Sequence, residues 1–160
     1  MAGHQEKFFM REAIRLSVEN VESGKGGPFG AVVVKNGVII AHGTNQVTHS
    51  NDPTAHAEVV AIRNACQVLG SFQLDGCEIY TSCEPCPMCL GAIYWARPDR
   101  MYYANTKKDA ADIQFDDQFI IPMGGGQWIY NWKEKIIIFC AVNGVGKFFQ
   151  LTSPNPGAQV

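Results

Sequence analysis

Two short patterns that lie 30 residues apart restrict the folds this sequence can adopt. His56 and Glu58 stand at the head of one apolar segment, and Cys86 and Cys89 open another. Cysteines three apart at a helix start share one helix face, where the unpaired N–H groups favour thiolates. A histidine and two cysteines bind zinc with one position left open, which is typical of a catalytic site. The fold must therefore bring the starts of two helices together.

The charge of such a site gives Glu58 a role. Two thiolates cancel the two positive charges of zinc, so a nearby base should help to deprotonate its water. A carboxylate close to the metal but not bound to it can accept that proton and later donate it to a substrate. The spacing therefore predicts zinc ligands at His56, Cys86 and Cys89 and a catalytic proton carrier at Glu58.

Each pattern also has a simpler interpretation. A lone His-x-Glu at a helix start is usually a solvated capping sequence, and a lone Cys-x-x-Cys is as often a redox pair or a structural zinc site. Cys83 extends the cysteine run, but an iron–sulfur sequence needs a fourth cysteine followed by proline shortly afterwards, and none stands there. We exclude Cys83 as a ligand because it ends the preceding strand. The other cysteines are interpreted as buried thiols: Cys66, Cys77 and Cys140.

Secondary-structure signals place these patterns on helices beside a sheet. The predicted elements are a helix ending at Gly24, two strands around Asn36-Gly37, a helix from an Asp52 N-cap to about Leu69, the strand CEIYTS, a helix opening at Pro85 or Pro87 and the strand RMYYAN. Strands that alternate with helices favour parallel crossovers. We therefore predict an α/β fold with a mixed five-stranded sheet between helices and a site at the carboxyl edge of the sheet.

Composition narrows the classes of partner. A chain of 160 residues fits one domain, and its 13 Lys and Arg against 15 Asp and Glu provide no basic surface for nucleic acid. No apolar run approaches the roughly 20 residues of a membrane span, and the N-terminus lacks the apolar core of a signal peptide. These features predict a cytoplasmic protein without nucleic-acid or membrane partners.

Longer stretches of the sequence resemble a known family. The pair "HAE" (56–58) and "PCPMC" (85–89) matches the pattern of zinc-dependent nucleobase deaminases of the cytidine deaminase-like superfamily. The stretches "GGPFGAVVVKNG", "NDPTAHAEVVAIRNAC", "YTSCEPCPMCLGAIYWARP" and "FDDQFI" closely resemble bacterial guanine deaminases, over about residues 7 to 121. The resemblance implies a three-layer α/β/α fold, one zinc ion per chain, a small-molecule purine substrate and a homodimer.

The resemblance also implies a reaction and its substrate contacts. The reaction is hydrolytic deamination of guanine to xanthine and ammonia, with Glu58 as the proton shuttle. Four further positions are predicted at the purine: Asn45 by hydrogen bonding, Phe29 by packing on the ring, Trp95 in the pocket wall and Asp117 against the guanine amine, where it assists proton transfer. Asp116 is the alternative to Asp117. Aromatic walls with a few polar groups suit a flat purine, and an acceptor beside the amine favours guanine.

The end of the chain departs from that family. We predict a catalytic region over 1–122 and an atypical segment over 123–160 that belongs to the same domain, with a hairpin around Asn143-Gly144 and a loose end. In the family this segment ends in a helix and an aromatic residue that closes a pocket, often that of the partner subunit. Two interpretations stay open: a different lid, suited to a nucleoside or another aminopurine, or an altered end that impairs the enzyme.

Other functions remain as alternatives. The zinc motifs also fit a deaminase of guanosine, another aminopurine or cytosine. A transfer-RNA adenosine deaminase shares these motifs but is disfavoured by the absence of a basic excess. A non-catalytic binding protein with structural zinc is the alternative from a different class, and a Glu58→Gln variant distinguishes it from an enzyme.

Overall fold

The secondary structure follows the predicted alternation of helices and strands. The computed structural model describes residues 2–111 and 137–139. In chain order its elements are α1 (Ala2–Glu22), β1 (Gly30–Lys35), β2 (Val38–Thr44), α2 (Val47–Ser50), α3 (Ala57–Leu69), β3 (Cys77–Cys83), α4 (Pro87–Ala96), β4 (Arg100–Asn105), α5 (Lys107–Ala111) and β5 (Ile137–Phe139). The strand order is β2-β1-β3-β4-β5. Because β1 is antiparallel to β2 and β3, whereas β3, β4 and β5 run parallel, the predicted mixed five-stranded sheet is confirmed.

The two faces of β1 belong to two separate cores. Val32 and Val34 pack in a cluster with residues of α1, whereas Ala31 and Val33 pack in a cluster with residues of α3 and α4. Successive side chains of a strand point to opposite faces of the sheet. The sheet therefore lies between α1 on one face and α3 and α4 on the other, which confirms the three-layer architecture.

Two glycines allow helices to approach this sheet closely. A Cβ atom at Gly30 would lie 2.3 Å from the carbonyl oxygen of Ala13 in α1. A Cβ atom at Gly43 would lie 2.1 Å from the carbonyl oxygen of Ala57, the first residue of α3. Both separations are shorter than any non-bonded contact allows, so only glycine fits at either position. The close approach at Gly43 fixes the start of α3 against β2.

The turn signals correspond to the turns of the structure. Asn36 and Gly37 have φ angles of 51° and 75°, as a type I′ hairpin turn requires, and they join β1 to β2. Gly70 ends α3 in the left-handed conformation, with φ 61°, directly after Leu69 as predicted.

The predicted start of α3 was wrong by four residues. The helix begins at Ala57 with His56 as its N-cap, so Asp52 does not cap it. The Asp52 carboxylate instead accepts hydrogen bonds from the backbone N–H and the hydroxyl of Thr54, at 2.8 and 2.6 Å. Aspartate followed by proline favours such a turn as readily as a helix start, and local sequence does not separate the two. The single-turn helix α2 was not predicted.

Among the described residues, no helix is both long and apolar enough to span a membrane. β5 lies on the N-terminal side of the hairpin predicted around Asn143-Gly144, and it pairs in parallel with β4. The remainder of the predicted hairpin around Asn143-Gly144, the chain end and the boundary at 122 lie outside the described residues.

Candidate metal centre

Three predicted ligands meet where α3 and α4 begin. The Nδ1 atom of His56 lies 3.7 Å from the Sγ atom of Cys86 and 3.5 Å from the Sγ atom of Cys89. All three ligand atoms lie within 4.8 Å of one another. Zinc–sulfur bonds of about 2.3 Å and zinc–nitrogen bonds of about 2.0 Å in a tetrahedron place such atoms roughly 3.5 to 3.8 Å apart. The donor set and its spacing therefore fit one zinc ion.

Helix caps produce this convergence. His56 is the extended N-cap of α3, with φ −68° and ψ 156°, and its carbonyl oxygen accepts the first helical hydrogen bond, from Val60 at 2.9 Å. Cys86 is the N-cap of α4, Pro87 is the first helical residue, and the Cys86 Sγ atom accepts a hydrogen bond from the backbone N–H of Cys89 at 3.5 Å. Because α4 follows the carboxyl end of β3 after a short turn, the site lies at the predicted edge of the sheet.

The two thiols differ in their electrostatic state. Hydrogen bonding from Cys89 and from His56 lowers the pKa of Cys86 to about 4, in spite of burial. The anion at Cys86 and burial together raise the pKa of Cys89 far above that of a free thiol. The two sulfur groups therefore interact strongly, and a bound dication would favour the thiolate form of both because it would be the largest local charge.

Glu58 lies beside the three candidate ligands. It stands in the first turn of α3, and its side chain is only 6% exposed. Its Oε2 atom lies 3.3 Å from the Sγ atom of Cys89, and its Oε1 atom lies 3.3 Å from the hydroxyl oxygen of Thr81. Burial raises the pKa of Glu58. The structure therefore brings a carboxyl group that readily holds a proton to the metal site.

Asn45 and Phe29 are joined through the backbone. The N–H of Asn45 donates to the carbonyl oxygen of Phe29 at 3.2 Å. The buried Asn45 side chain uses Oδ1 to accept from the N–H of Val47 at 3.3 Å. The next residue, Gln46, donates its N–H to Ala55 at 2.9 Å, immediately before the ligand His56. The segment that carries Asn45 is thus fastened to the segment that carries a ligand.

The described residues do not test the other predicted purine contacts. Trp95 lies on α4 with 72% of its side chain exposed and meets Tyr94 edge-to-face, with ring centroids 6.0 Å apart. Asp116 and Asp117 lie outside the described residues. The contacts predicted for these three residues therefore stay predictions.

Two polar residues of the site's surroundings were missed by sequence reasoning. Thr81 on β3 contacts Glu58, and Asn20 at the end of α1 donates to the carbonyl oxygens of Gly27 and Asn45, at 2.9 and 2.8 Å. Neither belongs to a short motif, since each acts across a long stretch of chain. The one sequence signal that could have identified Thr81 and Asn20 is a polar residue at a position that the apolar pattern of its strand or helix predicts to be buried.

Comparison with known proteins adds a second line of observation. Residues 4–105 match the model of the cytidine and deoxycytidylate deaminase zinc-binding region. Over 112 residues, 70% of this chain and 72% of the other, the chain is 66% identical to the guanine deaminase of Bacillus subtilis (strain 168). Over 103 residues, 64% of this chain and 68% of the other, it is 39% identical to the tRNA-specific adenosine deaminase of Aquifex aeolicus (strain VF5).

Solved structures agree with these matches. The X-ray structure of guanine deaminase from Bacillus subtilis matches 94% of this chain and 95% of its own, with 50% identity and a TM-score of 0.72. A guanine deaminase from Nitrosomonas europaea matches 91% of this chain and 82% of its own, with 28% identity and a TM-score of 0.77. The resemblance inferred from the sequence motifs is thereby confirmed.

Proposed function

This chain belongs to the cytidine and deoxycytidylate deaminase zinc-binding family, and we propose that it is the member that hydrolyses guanine to xanthine and ammonia. The observation that carries the assignment is the placement of a buried carboxyl, Glu58, against a His-Cys-Cys metal centre in a chain so similar to a guanine deaminase. The metal centre supports hydrolytic deamination as the reaction. The 66% identity to a guanine deaminase supports guanine as the substrate.

The metal ligands in this proposal are His56, Cys86 and Cys89. When bound, zinc supplies the Lewis acidity that makes a water molecule nucleophilic near neutral pH. The Nδ1 atom of His56 and the two Sγ atoms would hold the metal, and the N-terminal ends of α3 and α4 keep these three atoms close together. Three protein ligands would leave room for a water molecule.

Glu58 carries the protons of the reaction. Its Oε2 atom, on the side of Cys89, takes a proton from the attacking water as the water oxygen bonds to the amine-bearing carbon of guanine. The same carboxyl delivers that proton to the adjacent ring nitrogen. It then takes the second proton of the former water from the new hydroxyl group and passes it to the amine. The C–N bond breaks, and ammonia leaves with xanthine as the product. Burial excludes bulk water from this transfer.

The purine contacts are assigned to residues that flank the centre. The Oδ1 atom of Asn45 is held by Val47, so its Nδ2 atom is the group that donates to a ring acceptor. Phe29, which is bonded to Asn45 through the backbone, packs on the ring face. Trp95 completes the pocket wall, and Asp117 binds the guanine amine.

A homodimer in the cytoplasm is part of the proposal. Tyr94 and Trp95 on α4 are 40% and 72% exposed, and an apolar helix with two exposed aromatic rings gains from being covered by a second copy. Sedimentation equilibrium of the zinc-loaded chain tests this assembly, whose mass would be twice 17.6 kDa.

The first test is ammonia release by the zinc-loaded chain. The substrates are guanine, guanosine, adenine, cytosine and cytidine, and the variant is Glu58→Gln. We expect turnover on guanine, and a kcat at least about a hundredfold lower in the variant with its zinc content unchanged, because proton transfer by one side chain contributes about this much. Glu19→Gln, which makes the same change at an exposed ion pair with Arg15, is the control and should leave kcat unchanged.

The outcomes separate the alternatives. Absence of ammonia from guanine would overturn the assignment, and turnover confined to guanosine or cytosine would transfer it to the corresponding deaminase. Full activity in Glu58→Gln would remove Glu58 from the mechanism. Bound zinc without turnover on any substrate would favour a binding protein with structural zinc.

A further inference from the structure

A buried threonine lies on the side of Glu58 that faces away from Cys89. Thr81 stands in the central strand β3 and is 2% exposed. By strand alternation it shares a sheet face with Ile79, which packs in the apolar core beneath α3. A hydroxyl in such a place costs free energy unless it is hydrogen-bonded. Its contacts therefore indicate what stabilises it.

The hydroxyl of Thr81 has two hydrogen-bond partners. Its oxygen lies 2.9 Å from the carbonyl oxygen of Cys83 and 3.3 Å from the Oε1 atom of Glu58. The first partner belongs to the backbone of the same strand, so the hydroxyl is anchored to a rigid element. The second partner is a side-chain carboxyl on another element, so Thr81 connects the sheet to the head of α3.

The Glu58 carboxyl is therefore held from two sides. Its Oε2 atom lies 3.3 Å from the Sγ atom of the ligand Cys89, and its Oε1 atom lies at Thr81. The last torsion of a glutamate side chain is broad, so packing alone restrains it weakly. A hydrogen bond to Oε1 restrains this torsion and keeps Oε2 on the side of the metal ligands.

We propose that Thr81 is a positioning residue whose hydroxyl orients the Glu58 carboxyl toward the metal centre. The inference rests on the proposed function, because it takes Glu58 to be the proton carrier of the reaction. The single proton of the hydroxyl can be shared between two acceptors, so it can anchor to the Cys83 carbonyl oxygen and donate to Oε1 while Oε2 gains and loses the proton of the reaction. Valine has the same shape and can do neither.

The test compares Thr81→Val with Thr81→Ser. For Thr81→Val we expect kcat for guanine to fall by about tenfold to a hundredfold while KM changes by less than about threefold, since the misplaced group acts on the reaction and not on the purine. Thr81→Ser retains the hydroxyl and should restore kcat to within about threefold of the original. Zinc content should stay at one per chain in both variants.

A matched control is available on the same strand. Tyr80→Phe removes a buried hydroxyl from the opposite face of β3, where that hydroxyl donates to Glu78 at 2.7 Å. The kcat of Tyr80→Phe should stay unchanged. This result would show that the effect of Thr81→Val comes from the place of its hydroxyl beside Glu58, and not from the loss of a hydroxyl anywhere in β3. If Thr81→Val does not fold, Thr81→Ala replaces it in the comparison with Thr81→Ser.

The failures of the two proposals are distinguishable. Guanine turnover by the original chain establishes the reaction independently of Thr81. Given that turnover, the inference is overturned by an unchanged kcat in Thr81→Val, by a serine variant as slow as the valine variant, or by a loss of zinc that matches the loss of kcat. Wild-type protein that releases no ammonia from guanine would instead overturn the function on which the inference rests.

Discussion

Asn20 shows how a single amide organises the surroundings of the site. Its side chain is 3% exposed, and both N–H bonds of Nδ2 are used, toward the carbonyl oxygens of Gly27 and Asn45. The first carbonyl precedes β1 and the second follows β2, so one residue of α1 joins the segments that carry Phe29 and Asn45. The proposed purine contacts thus depend on a residue that has no direct role at the substrate.

Replacement of Asn20 by alanine should destabilise the protein. The buried carbonyl oxygen of Asn45 would lose its donor, whereas that of Gly27 would keep the N–H of Phe29. A buried unsatisfied group costs about 1–3 kcal/mol, so we expect the free energy of unfolding to fall by about 2 kcal/mol. Urea denaturation measures this change. Asn64→Ala is the matched control, because Asn64 Nδ2 donates to His42 at 2.8 Å on the exposed surface, where water replaces the bond. Equal losses in the two variants would contradict this account.

At the scale of elements, the contact between β2 and α3 determines where the histidine ligand lies. Gly43 of β2 faces the first turn of α3, where an added Cβ atom would lie 2.1 Å from Ala57 O and 2.4 Å from Ala61 N. Both contacts are to backbone, so no side-chain rearrangement can relieve them. Since His56 immediately precedes Ala57, any displacement of α3 also moves the metal ligand.

Gly43→Ala should therefore be severely destabilising. We expect a loss of about 3 kcal/mol in the free energy of unfolding, at the upper end for overpacking, because the helix must move away from the sheet. Chemical denaturation measures this loss of stability, and the m-value should stay unchanged. In α4, Gly91 has nothing within 4 Å of its added Cβ atom, so Gly91→Ala should stabilise by up to about 1 kcal/mol. A Gly43→Ala variant as stable as the original would refute the close packing of α3 on β2.

The sequence predicted elements whose signals are local and missed those that depend on distant contacts. The turn at Asn36-Gly37 and the end of α3 at Gly70 follow from residues that tolerate positive φ, so both were predictable. The start of α3 was not, because Asp52 suits a turn as well as a helix N-cap, and in the structure its carboxylate is used in the turn with Thr54. Element boundaries depend on which of several local choices the rest of the molecule stabilises.

The same distinction applies to the site across the whole molecule. The clustering of His56, Cys86 and Cys89 was predictable because metal binding requires particular residue types at helix starts, and the fold brings those starts together. Thr81 and Asn20 have common residue types at ordinary positions, and only the tertiary structure gives them partners 23 and 25 residues away. Sequence patterns thus identify the groups that do the chemistry more readily than the groups that hold them.

The candidate metal centre joins the starts of two helices that are distant in the chain. His56 caps α3 and Cys86 caps α4, and between them lie β3 and two loops. A metal that binds only the folded arrangement stabilises it by an amount set by its free concentration relative to its dissociation constant. The stability of the whole chain should therefore depend on zinc, not only its activity.

Removal of zinc should lower the thermal unfolding midpoint. At a free zinc concentration a thousandfold above the dissociation constant, the stabilisation is about 4 kcal/mol, which corresponds to a shift of roughly 10 °C for a chain of this size. Calorimetry with and without a chelator, at one protein concentration, measures it. The His56→Ala variant lacks a ligand, so its midpoint should be lower than that of the zinc-loaded protein and should respond little to the chelator. A chelator that removes the metal without moving the midpoint would show that packing alone holds α3 and α4 together.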